Sequence, residues 1–271
     1  MPTDTTTPPR RNWHFNRWLI VLIIATLGWS GWRAYAFRSA LAEAKALGWR
    51  VEYIEPFGTI RAEWKLAFKK ETWLGGVIYM VIPTSESFEQ HLAIVHRLNP
   101  KALQIANAAT LRDVSLLKSF SGLQGIWLYR CKGLTNVNAL KNLRALQSVY
   151  LDGCKGLTNV DALKNLSALQ GVVLEGCTGL TNVDALNNLS ALQEVSLAGC
   201  AGLTNVDALK NLSALQTVFL KGCTGLTNVD GLKNLSALQR ITLDGCTGLT
   251  KETVAALKAA LPKAYISSDY K

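Results

Sequence analysis

Cys131, Cys154, Cys177, Cys200, Cys223 and Cys246 follow one another at intervals of 23 residues. A strict period of that length asks the same local environment of every unit, which a solenoid offers and a single globular core does not. Written from each cysteine, the units are CKGLTNVNALKNLRALQSVYLDG, CKGLTNVDALKNLSALQGVVLEG, CTGLTNVDALNNLSALQEVSLAG, CAGLTNVDALKNLSALQTVFLKG and CTGLTNVDGLKNLSALQRITLDG. The same spacing excludes a CxxC redox pair and a zinc ribbon. Cysteines stacked at equal positions would come within disulfide range, but with parallel Cβ vectors unsuited to a bridge. We therefore expect a structural ladder of buried free thiols, with no metal and no cofactor.

In the third unit Leu180, Val183, Leu186, Leu189, Leu192, Val195 and Leu197 precede Cys200, ending in the pattern LxxLxxLxLxxC. The V-x-L piece reads as a short strand with both apolar residues inward, and G-C-x-G-L-T-N as the turn after it. Leu140, Leu163, Leu186, Leu209 and Leu232 should stack along the far side, with Asn136, Asn159, Asn182, Asn205 and Asn228 satisfying turn backbone groups. NALKNL and DALKNL are too short for a long helix and predict a 3₁₀ or one- to two-turn helical convex side. This pattern resembles the leucine-rich repeat, in particular bacterial proteins such as the internalins, with a cysteine where those carry asparagine. The resemblance covers about residues 100–271. The short N-x-I step of that family is C-x-x-L here, as in cysteine-type repeats, which implies a slightly longer turn. It implies an α/β solenoid: a leucine-rich repeat horseshoe or arc with a parallel concave β-sheet and capped ends. It implies no particular activity.

The ends of the array are degenerate units, as a solenoid needs if its terminal apolar faces are to be covered. Upstream, Leu103, Ile105, Leu111, Val114 and Leu117 keep the frame with Ala108 in the cysteine slot, preceded by a strand at Val77 to Ile82 and a helix at Ser87 to Leu98. Downstream, a helix from Lys251 to Ala260, with Thr250 as N-cap and Pro262 ending it, sets Val254, Leu257 and Leu261 over the last unit, and Ala264 and Ile266 keep register.

Residues 1–17 are polar and basic, and Trp18 to Trp32 then runs fifteen residues without a charge. Two readings fit residues 18–37: a retained transmembrane helix flanked by interfacial Trp18, Trp29 and Trp32, or a signal peptide cleaved after Ala36 in Ala34-Tyr35-Ala36. Either exports the rest, to the periplasm or the cell exterior. The domain reading is a tail at 1–17, an anchor or signal at 18–37, an N-terminal cap region at 38–100, leucine-rich repeats at 101–250 and a C-terminal cap at 251–271. Within the cap region, the aromatic and basic stretch at 60–76 fits a packed cap or a lipid contact.

Charge is uneven. Residues 1–130 hold 16 basic and 9 acidic residues, and residues 131–246 hold 9 and 8. A nucleic-acid reader would concentrate its basic stripe on the folded array, so nucleic acid is not an expected partner. No HExxH, GxSxG, phosphate-loop or GxGxxG pattern is present, and His91 and His96 stand five apart, off one helical face; a non-enzyme is expected.

What varies most between units is three strand columns that alternate with the core, while nearly everything else stays fixed. They are Gly125, Ser148, Gly171, Glu194, Thr217 and Arg240; then Trp127, Tyr150, Val173, Ser196, Phe219 and Thr242; then Tyr129, Asp152, Glu175, Ala198, Lys221 and Asp244. Strand geometry puts all three on the concave face. Turn-side positions such as Lys164 and Ser167 are exposed too and hardly vary, so drift alone does not account for the pattern. The candidate partner-binding residues are Trp127, Tyr129, Tyr150, Asp152, Val173, Glu175, Glu194, Ser196, Phe219, Lys221, Arg240, Thr242 and Asp244, with Trp127, Tyr129 and Tyr150 as an aromatic corner. The function expected is an exported, membrane-anchored repeat protein binding a protein or peptide. The alternatives are a structural spacer of the cell envelope and a secreted interaction factor.

Overall fold

The computed structural model describes residues 35–36, 38–52, 79–82 and 91–270. The tail at 1–17, nearly all of the segment at 18–37 and the stretch at 60–76 lie outside them. Among the described residues no helix is long and apolar enough to cross a membrane.

A helix over 38–46 (α1) leads into β1 (Arg50–Glu52), β2 (Tyr79–Ile82) and α2 (Leu92–Leu98). The array follows as β3 (Ala102–Ala106), β4 (Gly125–Tyr129), β5 (Ser148–Tyr150), β6 (Gly171–Val173), β7 (Glu194–Ser196), β8 (Thr217–Phe219) and β9 (Arg240–Thr242), closed by α3 (Lys251–Ala260) and β10 (Tyr265–Ser267). Among the described residues, all ten strands form one sheet in chain order. β1 pairs antiparallel with β2, and every later pairing is parallel. The expected strand at Val77 to Ile82 is thus described over Tyr79–Ile82 and the expected helix at Ser87 to Leu98 over Leu92–Leu98. His91 is the N-cap of α2, and the other residues of both lie outside the described part.

Two backbone seams hold each coil to the next. At the strand entries the Gln170 N–H donates to the Gln147 carbonyl, Gln193 to Gln170, Gln216 to Gln193 and Gln239 to Gln216, each at 2.8 Å. At the exits Gly153 donates to the Glu175 carbonyl at 2.6 Å, Gly176 to Ala198 at 2.7 Å, and Gly199 to Lys221 and Gly222 to Asp244 at 2.8 Å. The last coil has no following carbonyl in this seam, and the Asp269 carboxylate accepts the Gly245 N–H instead, at 2.7 Å. Buried donors are thereby satisfied to the end of the array.

Across from the sheet each coil turns through a 3₁₀ segment such as Asp184–Leu186. The expected asparagine role holds within each coil. Asn136 Oδ1 accepts the Asn138 N–H at 2.7 Å and Asn182 Oδ1 accepts the Asp184 N–H at 3.3 Å, an Asx turn that starts the 3₁₀ segment. Leu140, Leu163, Leu186, Leu209 and Leu232 are completely buried behind it. Each buried leucine contributes roughly 2 kcal/mol of transfer free energy, and none of that is available to a coil without neighbours.

The caps complete this packing. Val254, Leu257 and Leu261 are buried against the last coil, and Thr250 Oγ1 accepts the Thr253 N–H at 3.2 Å. Tyr270 Oη donates to the Leu249 carbonyl at 2.7 Å, and Lys258 Nζ to the Tyr270 carbonyl at 2.9 Å. At the other end Ala40, Ala44, Trp49, Ile94, Val95 and Leu98 join the same core, and Arg97 pairs with Glu43 across α2 and α1. His91 lies edge-on to Trp49 and His96 stacks on Phe120, both as packing groups.

The six cysteines are free and buried. The thiol of Cys177 donates to the Leu151 carbonyl and that of Cys200 to Leu174, each at 3.1 Å, while Cys223 donates to Leu197 and Cys246 to Leu220 at 3.0 Å. Burial, with the next thiol of the ladder adding to it, pushes Cys177, Cys200 and Cys223 up to about 12. A thiol reagent at mildly alkaline pH should therefore leave the folded chain unmodified and react with all six cysteines once denaturant unfolds it. Labelling of Cys177, Cys200 or Cys223 without unfolding would contradict the sealed core.

Candidate functional site

The parallel register carries no slip from β4 to β9, so each outward residue stands beside its counterpart 23 positions on. Gly125, Ser148, Gly171, Glu194, Thr217 and Arg240 form one such row, and Trp127, Tyr150, Val173, Ser196, Phe219 and Thr242 the next. Tyr129, Asp152, Glu175, Ala198, Lys221 and Asp244 follow at the strand exits. The columns read from the repeat alignment are therefore contiguous rows on the sheet face away from the leucine core, the concave face of the expected arc.

Burial corrects three of the candidate partner-binding residues on it. Trp127 is 2% exposed, Val173 6% and Ser196 1%. Trp127 is covered because bulk is missing two residues before it on its own strand. Its ring folds back over Gly125, where a Cβ would lie 2.3 Å from Cη2, and packs on Ala102 with Tyr129 and Tyr150 against it. The Trp127 and Tyr150 rings stack at 5.7 Å with 20° between their planes. The aromatic corner is thus real, with Trp127 as its floor and half-buried Tyr129 and Tyr150 as its surface. Phe219, Glu194 and Thr242 are likewise half-buried, whereas Glu175, Lys221 and Arg240 stand exposed.

The exit row carries the strongest electrostatics. Asp152 is half-buried beside Glu175, and its Oδ1 has no hydrogen-bond partner. Burial, then the Glu175 charge, raise its carboxyl to about 7, against a backbone hydrogen bond that lowers it. Glu175 itself accepts the Ser196 hydroxyl at 2.7 Å, and Asp244 accepts that of Ser267. Tyr129, Asp152, Glu175 and Arg130 enclose a shallow depression of about 600 Å³, with Gly153 in its floor. Among the described residues no three metal-ligating side chains come together.

Two residues of this face escaped the repeat reading. Tyr265, 62% exposed, stands in register with Arg240, whose guanidinium lies 5.6 Å from the Tyr265 ring centre. It could have been found by carrying the first column one unit further, to the position before Ile266. Arg130 occupies the frame position that is glycine in every later unit, and that exchange was its only signal.

Two outcomes follow from this geometry. Gly125→Ala should displace the Trp127 ring, shift its fluorescence toward that of an exposed indole and lower stability by about 1–3 kcal/mol; an unchanged spectrum would contradict the packing. Asp152 binds its proton more tightly folded than unfolded. The native state therefore holds more protons between the ordinary carboxyl range and about 7, and stability should fall as pH rises through that interval. Asp152→Asn should flatten this slope in pH-dependent thermal melts.

Residues 108–250 match the family described as the BspA type leucine rich repeat region, in six copies. Among solved structures, internalin C2 from Listeria monocytogenes str. 4b F2365 is similar at 20% identity with a TM-score of 0.52, over 71% of this chain and 80% of that one. The leucine-rich repeat domain of the type III effector XCV3220 (XopL) is similar at 19% identity with a TM-score of 0.50, over 72% and 78%. At these identities the likeness is one of fold. No curated protein matches the chain.

Proposed function

We propose, since the chain belongs to the BspA-type leucine-rich repeat family, that it is an exported, membrane-anchored scaffold holding a protein or peptide partner on its concave sheet. Leucine-rich repeat folds commonly mediate protein–protein interaction. The observation that carries the reading here is where the units differ. Lys141, Lys164, Lys210 and Lys233, and Ser167, Ser190, Ser213 and Ser236, each recur in four of the five units, with Asn187 and Arg144 as the exceptions, while the sheet rows change from unit to unit. Stability asks only for strand formers in those rows and would be served by one residue throughout. A scaffold that repeats and a surface that does not is the division of labour expected of a binding solenoid.

The surface supports a broad contact rather than a pocket. Tyr150 and Phe219 offer apolar area, Glu175 and Lys221 opposite charges between them, and Arg240 with Tyr265 a cation–π pair at the far end. The proposed role is binding without catalysis. The anchoring part rests on the apolar run Trp18 to Trp32 behind Arg10, Arg11 and Arg17.

Both parts have direct tests. Full-length chain in detergent, used as bait on envelope extract, should retain a partner whose affinity drops about tenfold in Tyr150→Ala and again in Phe219→Ala. Retention unaffected by either substitution would favour the spacer role. The native chain should have its full-length mass and require detergent; a soluble chain beginning at Phe37 would replace the anchor with a cleaved signal.

A further inference from the structure

Each clear coil leaves its strand through a residue in the left-handed region of backbone space. In five coils it is a glycine, from Gly176 at φ 67° to Gly222 and Gly245 at φ 73°. In the coil of β4 it is Arg130, at φ 56°. The degenerate coil before it uses Asn107 at φ 57°, a residue type that tolerates this region. Arginine does not, and the neighbouring coils show that the fold accepts glycine at the same turn without loss of the seam. Arg130 donates its N–H to the Asp152 carbonyl at 2.6 Å as Gly153 does to Glu175 at 2.6 Å. The backbone therefore does not need the side chain, and the strain is retained for what the side chain reaches.

That side chain is exposed and forms a wall of the depression that also holds Tyr129, Asp152 and Glu175. Its Cγ lies where a Cβ on Gly153 would be 3.4 Å away, so the stem rests on the next coil. Among the described residues its guanidinium takes part in no ion pair. Lys132 and Lys155, exposed at equal positions of adjacent coils, flank it, whereas the later coils carry Thr178, Ala201, Thr224 and Thr247 there. The three cations thus mark one end of the array, at the exit rim of the aromatic corner.

We propose that Arg130, flanked by Lys132 and Lys155, receives a carboxylate from an acidic segment of the protein partner seated on the concave face. This rests on the binding reading above and names the chemistry of its partner. A guanidinium takes a carboxylate through two parallel hydrogen bonds, which gives orientation as well as affinity. The neighbouring Glu175 and Asp152 argue against a lipid surface or a polyphosphate, since a continuous anionic surface would meet them together with the cations. A single side chain entering from the rim meets the fork first.

The test uses the full-length chain in a zwitterionic detergent with a fluorescein-labelled peptide carrying a single glutamate between uncharged residues, followed by anisotropy, and phosphatidylcholine vesicles containing one quarter phosphatidylglycerol as the competing arm. Arg130→Gly should raise the melting temperature, because the turn loses its steric conflict, and weaken the peptide by about tenfold. Arg130→Lys should keep the lower melting temperature and recover only part of the binding. A raised melting temperature with unchanged peptide affinity would overturn the proposal, as would a lowered one, which would make the side chain structural. Arg130-dependent binding of vesicles with none of the peptide would also overturn it and assign the rim to lipid. Loss of peptide binding in Arg130→Gly alongside partner capture indifferent to Tyr150→Ala would uphold the arginine site and reject the concave reading; the reverse pair of results would do the opposite.

Discussion

A coil of this chain cannot bury its own apolar face. Leu186 and its equivalents are covered only because another coil lies on each side, and this dependence organises everything else. Covering the face by translation requires a parallel sheet in register, which in turn requires that each coil begin and end its strand at the same height. The glutamine and glycine seams meet that requirement through the backbone. It also makes the ends a separate problem, which α3 and the N-terminal helices solve with apolar side chains and Asp269 solves with a carboxylate in place of a missing carbonyl.

The polar groups inside follow the same translation. A buried thiol suits the turn because it is small, weakly donating and uncharged, and each one finds a carbonyl of the coil before it. Stacking identical ionisable groups would be ruinous for carboxylates or amines. For Cys177, Cys200 and Cys223, burial and mutual proximity reinforce the neutral form that the site needs. A ladder so protected is compatible with export into an oxidising compartment.

With stability assigned to the repeated core, the outward rows are free to differ, and their differences have physical consequences within the face itself. Gly125 lets Trp127 sink beneath Tyr150, so one aromatic becomes floor and another surface. Asp152 and Glu175 side by side raise a carboxyl that isolated coils would leave alone. Arg130 keeps a strained turn that glycine fills elsewhere. The Trp127 stack and the Asp152 shift each draw on a pair of adjacent coils, not on one unit.

That distinction separates what could be read from residues from what could not. The period, the leucine spacing and the cysteine slot are properties of a single unit, and they carried the solenoid, the parallel sheet, the 3₁₀ side, the buried thiols, the Thr250 cap and the columns of the outer face. Burial along those columns depends on the side chains around each residue on its own and adjacent strands, and Trp127, Val173 and Ser196, which read as surface, lie inside. Tyr265 joins the face only through register with Arg240, and the left-handed turn at Arg130 shows itself only in the backbone. The sequence by itself determined a repeating coil and its inward residues, because a local pattern sets which side chains are apolar; the tertiary structure decided which outward residues reach solvent, because that depends on the sizes and charges of side chains brought together from adjacent coils.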